Sequence, residues 1–351
     1  MIAAGGSGTR LWPRSRRGTP KHLLPLGATG KPLVRETYER VRPLVDGVYV
    51  LTEAAQLDQL RRVLPEIEPS RYIVEPVARG TTSAYGLAAM TIGRSEPEAV
   101  LACFPADHVV TKPAQFRSAI RAATKVAALG EDIVLIGLEP THPATGLGYI
   151  HAAPGSLEKA GVRARQVSRF VEKPDLDTAR EFVAGGDYFW NLAMFTFRAD
   201  VLEAELKAHA PAHHRGLKRV LEARAQRHEE AAARAYANLP NEAIDYTVME
   251  HSRRLRLVPA RFGWADIGAW SELAGLRRGD RDGNVSEGNT LLLDSRENLV
   301  LAGGKLVAAI GVEDLVIVEG ENAILICPRS RAQEVKRVVE ELRRRGLTEY
   351  L

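Results

Sequence analysis

Short, continuously apolar runs alternate with amphipathic stretches over the first two-thirds of the chain, and this alternation is the strongest constraint on its fold. Residues 48–51, 100–104 and 133–138 are apolar almost throughout, as expected of strands covered on both faces. Between such runs, apolar residues recur at helical spacing, as at Val34, Tyr38, Val41 and Val45. The pattern predicts an α/β fold with an open, mixed, mainly parallel Rossmann-like sheet, in which ligands bind at the carboxyl ends of strands.

The pattern changes after about residue 276. Residues 201–237 are rich in Ala, Arg and Glu and predict helix, whereas short apolar runs separated by glycine and asparagine turns follow at residues 291–293, 299–301, 306–310, 315–318 and 323–326. Such spacing predicts a small all-β unit, either a barrel or a β-helix fragment, followed by a terminal helix that stops near Gly346. We therefore predict a domain over residues 1–275 and a β-rich domain over 276–351, whose exposed strands suit dimerisation.

Composition narrows the class of ligand. Lys and Arg number 48 against 44 Asp and Glu, a net charge of +4, which suits phosphate-bearing ligands but is too weak to predict nucleic-acid binding. The two cysteines, Cys103 and Cys327, are far apart and form no CxxC pair, so a zinc or redox site is not expected. No apolar stretch reaches about 18 residues and no signal peptide is visible, so we expect a cytoplasmic protein without a membrane partner.

The sharpest local signal is the run Gly5-Gly6-Ser7-Gly8-Thr9-Arg10. Closely spaced glycines allow a tight turn whose backbone N–H groups bind an anion. The run lacks the Lys-Ser/Thr of a P-loop, and Leu11 stands where a dinucleotide fingerprint needs glycine or alanine. A glycine turn without ligand remains the alternative, but Arg10 and the nearby Lys21 supply cations that favour a polyphosphate site.

Two acidic residues are candidate metal ligands. Asp107 directly follows the apolar run at 100–104, where α/β ligands bind, and Asp266 lies within the apolar and aromatic segment 264–270. Mg²⁺ usually takes one or two protein carboxylates together with substrate phosphates. The alternatives are a turn or capping role for Asp107, and an Arg or Lys partner in place of the metal for Asp266.

The run from Gly5 to Arg10, with Leu11-Trp12-Pro13, Ser15-Arg16 and Pro20-Lys21 after it, resembles the signature of the sugar-1-phosphate nucleotidyltransferases, and its ending resembles their mannose-1-phosphate guanylyltransferase branch. The resemblance implies the nucleotide-diphospho-sugar transferase fold. It implies that Arg10 and Lys21 are catalytic and hold a triphosphate, and that Asp107 and Asp266 share Mg²⁺. The implied nucleotide-binding residues are Gly5, Gly6, Gly8, Thr9, Arg10, Glu75, Gly80, Thr81 and Asp107.

Further segments resemble the family's sugar and base motifs. The implied sugar-phosphate residues are Gly148 in Thr145–Ile150, Glu172 and Lys173 in Phe170–Pro174, Asn191 in Trp190–Phe195, and Asp245 in Ile244–Glu250. Alternatives are a surface ion pair for Glu172 and Lys173 and a helix N-cap for Asp245.

The chain departs from the family pattern at two positions. Ala193 stands where the family usually has glycine, and Gly80 stands where the guanine-side loop, here Glu75–Ala84, usually has asparagine. The first departure adds a methyl group close to the implied sugar site. The second removes a side-chain contact, so we expect backbone groups around Gly80 and Thr81 to read the base.

The resemblance implies that the chain transfers GMP from GTP to mannose 1-phosphate, giving GDP-mannose and pyrophosphate by Mg²⁺-assisted in-line attack, and that it forms a homodimer. Two alternatives remain: a related transferase acting on glucose 1-phosphate with UTP or dTTP, and a non-catalytic regulatory homologue that binds nucleotide sugar. The transferase hypothesis requires Asp107 and Asp266 to lie close enough to contact one ion.

Overall fold

The structure, a computed structural model, describes residues 1–6, 8–16, 18–27 and 29–351. Ser7 of the glycine-rich run lies outside the described residues. The strands are β1 (Ile2–Ala4), β2 (Val50–Glu53), β3 (Tyr72–Glu75), β4 (Val100–Pro105), β5 (His108–Val110), β6 (Ile133–Leu138), β7 (Gly148–Ala152), β8 (Leu157–Lys159), β9 (Val162–Val171), β10 (Tyr188–Arg198), β11 (Leu255–Ala260), β12 (Trp264–Asp266), β13 (Val285–Glu287), β14 (Thr290–Leu293), β15 (Leu299–Leu301), β16 (Val307–Ile310), β17 (Leu315–Glu319) and β18 (Ile324–Pro328). The α-helices are α1 (Leu33–Val41), α2 (Leu57–Val63), α3 (Gly80–Gly93), α4 (Pro113–Ala127), α5 (Leu176–Gly185), α6 (Ala199–His209), α7 (Pro211–Ala225), α8 (Glu229–Ala237), α9 (Trp270–Leu276) and α10 (Val335–Arg344).

The described chain forms two compact units, each assembled from separated segments. Unit 1 comprises Met1–Gly5, Tyr38–Pro105 and Val110–Gly263. Unit 2 comprises Gly6–Thr37, Ala106–Val109 and Trp264–Leu351. The glycine-rich run from Gly6 onward and the two candidate metal ligands are thereby grouped with the C-terminal residues, while the boundary at 275/276 stays a prediction.

Unit 1 is built on a mixed sheet with strand order β3-β2-β1-β4-β10-β6-β11-β9-β7. Strands β1 to β4 are parallel neighbours, and β11 runs parallel to β6. Strand β6 is buried along its whole length, which explains its continuous apolar sequence. The predicted strands and helices of this region are confirmed, but antiparallel pairings of β7, β9 and β10 take a larger share of the sheet than the sequence predicted.

Helices α3 and α4 lie between apolar strands, as the alternation predicts, but only α4 is amphipathic, because α3 is buried on most of its residues. Helices α6, α7 and α8 confirm the predicted helical stretch at 201–237. The core of unit 1 joins sheet residues such as Leu135 and Phe195 to Leu87 of α3 and Leu206 of α6. None of the described helices is both long and apolar enough to span a membrane.

Unit 2 contains the predicted C-terminal β structure. Strands β13, β15 and β17 stack in parallel register, β18 closes that sheet antiparallel to β17, and β14 pairs in parallel with β16. Asn284 and Asn298 form a ladder between successive turns: the Asn298 amide donates to Asn284 Oδ1 at 2.9 Å, and the Leu315 N–H donates to Asn298 Oδ1 at 2.9 Å. Such stacking favours the β-helix alternative over a barrel. Helix α10 buries Val335 and Val339 against this unit.

Candidate active site

The glycine-rich segment of unit 2 brings its backbone close to Lys21. Gly8 has φ 59°, and a Cβ there would lie 2.5 Å from Lys21 Cβ, so only glycine fits both the conformation and the space. A 3₁₀ turn over Thr9–Leu11 follows Gly8, and a second over Lys21–Leu23 follows Pro20. No described atom lies within 4 Å of the Cβ position at Gly5 or Gly6, which leaves that stretch of backbone open to a ligand.

Lys21 joins both candidate metal ligands. Its Nζ lies 2.7 Å from Asp107 Oδ2 and 2.5 Å from Asp266 Oδ1. Asp107 lies two residues beyond β4, and Asp266 ends β12, which pairs with β5. The two carboxylates therefore converge on one point, each within hydrogen-bond distance of the same nitrogen.

The charges in this cluster compensate one another. Burial would lower the pKa of Lys21, but the charges of Asp107 and Asp266 and their hydrogen bonds outweigh it, so the pKa is raised above its ordinary value. Burial would raise the pKa of Asp107, yet the Lys21 charge, with smaller contributions from His108 and His22, lowers it. Burial also lowers the pKa of the neighbouring His22 to about 4, so that ring is neutral at physiological pH.

The donor set fits a divalent cation that is completed by its substrate. Among the described residues, no group of three or more His, Cys, Asp or Glu side chains is arranged to hold a metal. Two converging carboxylates are what Mg²⁺ needs from the protein when phosphates and water supply its other ligands. In the structure Asp266 has a lysine partner, Lys21, which is the alternative to a metal that the sequence left open. The position of Lys21 Nζ shows where the two carboxylates stabilise a cation.

Arg10 is exposed in unit 2 and lies beside Gly268, where a Cβ would be 3.5 Å from Arg10 Nη2. Its Nη1 donates to Gln333 Oε1 at 2.9 Å, and Gln333 in turn donates to Glu272 Oε1 at 3.0 Å. Glu272 also accepts hydrogen bonds from the Gly268 and Ala269 N–H groups where α9 begins. No local sequence pattern indicates that Gln333 would link the predicted catalytic arginine to Glu272, because the three residues are distant along the chain.

Within unit 2 the residues just after the glycine-rich run also contact the β-helix and helix α9. Arg14 forms an ion pair with Glu287 at 3.1 Å and donates to the backbone oxygens of Glu319 and Ala302. The Trp270 Nε1–H donates to the Trp12 backbone oxygen at 2.9 Å. The β-helix therefore helps to set the conformation of the segment that carries Thr9, Arg10 and Lys21.

Unit 1 brings together the predicted sugar-phosphate residues. A Cβ at Gly148 would overlap Glu172 Oε2 and would lie 3.2 Å from Asn191 Cβ, so glycine permits the close approach of the three. The Asn191 amide donates to Asp245 Oδ1 at 3.0 Å. Lys173 Nζ lies 2.8 Å from Glu172 Oε1, and that hydrogen bond raises the pKa of Lys173 although partial burial opposes it.

Two carboxyl groups of this cluster can receive a ligand. Glu172 Oε2 is buried and has no hydrogen-bond partner in the described part of the chain, so a sugar hydroxyl could satisfy it. Burial, together with the Glu172 charge, raises the pKa of Asp245 to about 6. Asp245 begins a short π-helical turn, Asp245–Met249, without a side-chain capping hydrogen bond, so the N-cap alternative for this residue is not observed.

The backbone at Ala193 explains the family's preference for glycine there. Ala193 has φ 51°, in the left-handed region, where a Cβ costs about 1 kcal/mol or more. The pairing of β10 with β6 shifts register between Asn191 and Phe195, and the Ala193 N–H donates to Asn191 Oδ1 at 3.1 Å. This irregularity fixes the Asn191 side chain.

The predicted base loop is shaped by packing within unit 1. Gly80 has φ 73°, and a Cβ there would overlap the Glu242 carbonyl oxygen, so the asparagine usual in the family does not fit this backbone. Thr81 Oγ1 accepts a hydrogen bond from the Ile244 N–H at 2.9 Å. The loop is therefore tied to the segment that carries Asp245.

Glu75 ends β3 and lies in a buried pair that the sequence did not reveal. The Tyr236 hydroxyl donates to Glu75 Oε1, and burial raises the pKa of Glu75 to about 7. Burial and the Glu75 charge also raise the pKa of Tyr236. Tyr236 lies in the alanine-rich helix α8, where sequence alone indicates only core packing.

Comparison with known proteins identifies the family. The nucleotidyl transferase family model matches residues 1–282. The chain belongs to the nucleotidyl transferase family. A second model, the mannoseP isomerase/GMP-like β-helix domain, matches residues 288–342 and confirms the predicted β-helix-like C-terminal unit.

Individual relatives of this nucleotidyl transferase agree with that assignment. Mannose-1-phosphate guanylyltransferase of Escherichia coli (strain K12) is 35% identical over all of this chain and 74% of its own length. Alginate biosynthesis protein AlgA of Pseudomonas aeruginosa is 38% identical over 99% of this chain and 73% of its own length.

Among solved structures, a crystal structure described as mannose-1-phosphate geranyltransferase from Thermus thermophilus is 34% identical. It aligns with a TM-score of 0.86 over 97% of this chain and 98% of its own. The resemblance to the mannose-1-phosphate guanylyltransferase branch and the predicted transferase fold are thereby confirmed, and the chain is a nucleotidyltransferase.

Proposed function

We propose that the chain transfers GMP from GTP to α-D-mannose 1-phosphate, giving GDP-mannose and pyrophosphate. An oxygen of the sugar phosphate attacks the α-phosphorus of GTP, and the bond from that phosphorus to the departing pyrophosphate breaks. The attacking phosphate is already an anion, so neither a covalent enzyme intermediate nor a general base is required. Catalysis then depends on positioning and on stabilising the charge of the phosphate oxygens.

The observation that carries this proposal is the convergence of Asp107 and Asp266 on Lys21 Nζ. We assign Mg²⁺ to the two carboxylates, where it would neutralise developing charge on the phosphate oxygens. Lys21 is held as a cation by the same carboxylates and is assigned, with Arg10, to the triphosphate. The open backbone at Gly5 and Gly6 and the turn at Gly8 and Thr9 supply N–H groups for the same ligand.

The second substrate is assigned to unit 1. Glu172 offers a buried, unsatisfied carboxylate oxygen to a sugar hydroxyl, and Asn191 and Asp245 offer further polar groups beside it. Lys173, about half exposed and paired with Glu172, is the cation assigned to the sugar phosphate. Gly148 leaves room for these contacts.

The base is assigned to the loop that begins at Glu75. Gly80 and Thr81 are fixed by contacts to residues 242–244, so backbone groups are the natural readers of the base edge. The choice of guanine and mannose is supported by the name of the Escherichia coli relative at 35% identity. Homodimerisation through the C-terminal β unit and a cytoplasmic location stay predictions from the sequence.

A substrate matrix tests the proposal. Purified protein is incubated with GTP, UTP or dTTP, each with mannose 1-phosphate or glucose 1-phosphate, and pyrophosphate release is followed with Mg²⁺ or with excess EDTA. We expect the pair of GTP and mannose 1-phosphate to exceed the other pairs by about a hundredfold in kcat/KM, and EDTA to abolish its turnover. Reaction with UTP or dTTP alone would show the other transferase, and no turnover with any pair would show a non-catalytic homologue.

A further inference from the structure

Unit 2 contains a cavity of about 540 Å³ between residues of segment 9–16 and residues of helix α10 and the chain after it. Its lining residues are Thr9, Trp12, Ser15, Arg16, Val339, Arg343, Thr348 and Leu351. The volume lies within the range of about 300–1,000 Å³ that is usual for small-molecule sites. Of the residues predicted to bind nucleotide, Thr9 alone belongs to this lining, so the cavity is distinct from the Lys21 cluster.

Both charged side chains of the lining are positive. Arg16 and Arg343 face the cavity, and no carboxylate side chain is among its described lining residues. The next two arginines along the chain are neutralised: Arg344, the last residue of α10, and Arg345 both pair with Glu341 at 2.6 Å. The Arg343 side chain has neither an ion pair nor a hydrogen bond within the ranges that the structure describes.

Arg16 also indicates an anion in this cavity, because one of its guanidinium nitrogens is an unsatisfied donor. Its Nε donates to the Pro13 oxygen at 2.9 Å, and its Nη1 donates to the Glu349 oxygen at 3.4 Å. Its Nη2 is buried and has no hydrogen-bond partner in the described part of the chain. A buried unsatisfied donor is costly, and an anion would satisfy it with a charge-assisted hydrogen bond.

The rest of the lining indicates what the anion is attached to. Trp12, Val339 and Leu351 are apolar surfaces, and the Trp12 Nε1–H is already used by the Tyr350 oxygen at 2.7 Å. Thr9 and Thr348 contribute hydroxyl groups. A phosphate held between two arginines, with a ring or other compact body against the apolar wall, matches this chemistry.

We propose that this cavity is a second ligand site, which binds a phosphate ester and modulates nucleotide binding through segment 9–16. A ligand that contacts Arg16 and Arg343 would tie this segment to α10. The Trp12 carbonyl accepts from Trp270, the first residue of α9, four residues beyond Asp266. The binding site stands on its own, whereas its effect on turnover rests on the proposed function.

Calorimetry on the full chain tests the binding. Phenyl phosphate is the probe, with inorganic phosphate and phenol as its anionic and apolar halves. We expect phenyl phosphate to bind more tightly than either half and to remain bound at saturating GTP. Arg343→Ala is expected to weaken it about tenfold, the contribution of one Arg–phosphate contact, whereas the matched control Arg344→Ala, whose partner is Glu341, changes it less than about twofold.

Two binding results would overturn the site: equal affinities in Arg343→Ala and Arg344→Ala, or complete displacement of phenyl phosphate by GTP, which would place the anion in the nucleotide site. Unfolding temperatures of both variants show that any loss of binding is not a loss of fold.

Kinetics then test the coupling. In the wild type and in Arg344→Ala, saturating phenyl phosphate should change the KM for GTP by at least about twofold, and in Arg343→Ala it should not. A bound probe that leaves the KM for GTP unchanged overturns the modulation. Binding of the probe without any guanylyl transfer contradicts the proposed function but not the site, and turnover without binding contradicts the site alone.

Discussion

Two carboxyl groups of unit 2, Asp107 and Asp266, and two of unit 1, Glu75 and Asp245, are held in opposite ways. In unit 2, Asp107 and Asp266 contact a buried ammonium group, and the pKa of Asp107 is lowered. In unit 1, Glu75 is bonded to a phenol and Asp245 to an amide, and burial raises their pKa values to about 7 and about 6. Glu75 is buried, whereas Asp107, Asp266 and Asp245 are partly exposed. The difference in pKa between Asp107 and the two carboxyl groups of unit 1 lies in the partner.

This contrast separates two kinds of chemistry. A metal ligand must be ionised, and an adjacent cation preserves that state in the absence of metal. A carboxyl that titrates near neutral pH can both donate and accept hydrogen bonds, as recognition of a neutral polar ligand requires. The proposed function makes sense of the division, because the proposed transfer requires both a polyphosphate and a sugar to bind.

Removing the charge of a carboxylate in unit 2 should have the largest effect. Asp107→Asn deletes one of the two proposed Mg²⁺ ligands and should lower turnover by about a thousandfold, corresponding to about 4 kcal/mol of transition-state stabilisation. Pyrophosphate release at saturating Mg²⁺, GTP and mannose 1-phosphate measures it. Asp294→Asn, an exposed carboxylate of the same unit, is the control and should leave turnover unchanged. Unchanged turnover in Asp107→Asn would refute the metal assignment.

The second-largest effect is the loss of stability expected when a side chain is added at Gly80 in unit 1. Gly80→Asn restores the family's usual residue but places a Cβ on the Glu242 carbonyl at a positive φ, so it should lower the free energy of unfolding by about 3 kcal/mol. Urea denaturation measures this loss. Gly146→Asn, at a glycine with no described atom within 4 Å of its Cβ position and no positive φ, is the control and should cost less than about 1 kcal/mol. Equal costs at both positions would show that residues 242–244 move aside.

Gly80 also shows where sequence reasoning reaches its limit. Strands β2, β4 and β6 could be predicted because continuous apolar runs depend only on burial of both faces, as at Ile133–Leu138. Glycine is required at position 80 because a Cβ there would overlap the backbone of Glu242. This contact joins segments that are distant along the chain, so no local sequence pattern predicts it. The short strands β5 and β12 escaped prediction for a related reason: three residues carry too little periodicity to reveal a strand.

The candidate site, like the fold, could be predicted from the sequence only in part. The identities of Asp107, Asp266 and Lys21 as charged groups of interest followed from their positions beside strands and glycines. Their convergence on one point was implied by the family resemblance and not by the residues themselves, which left open whether a metal or a basic side chain would neutralise Asp266. The partners of Arg10 and Glu75, namely Gln333 and Tyr236, had no local signal at all.

The raised pKa of Glu75 predicts a smaller, pH-dependent effect on stability. Between about pH 4.5 and 7 the unfolded chain releases this proton while the folded chain retains it, so the contribution of Glu75 to the free energy of unfolding falls as pH rises. Relative to the wild type, Glu75→Gln should therefore gain up to about 3 kcal/mol between pH 4.5 and pH 7.5. Urea denaturation at both pH values measures this difference. Glu68→Gln, at an exposed site, should show none. A pH-independent difference for Glu75→Gln would mean that Tyr236 keeps the carboxylate ionised.

The smallest effect is expected when alanines in the left-handed backbone region are replaced with glycine. Comparing two such positions distinguishes relief of backbone strain from a change in sugar binding. Ala193 and Ala160 both have φ 51°, so replacing either with glycine should relieve a similar strain and, after the greater entropy of unfolded glycine, stabilise the fold by up to about 1 kcal/mol. Thermal unfolding measures both. Ala160 lies in an exposed turn between β8 and β9, whereas the Ala193 N–H holds Asn191. Only Ala193→Gly should therefore change the KM for mannose 1-phosphate. A gain in stability at Ala160 without one at Ala193 would show that the hydrogen bond to Asn191 and the register shift of β10 already compensate for the strained conformation.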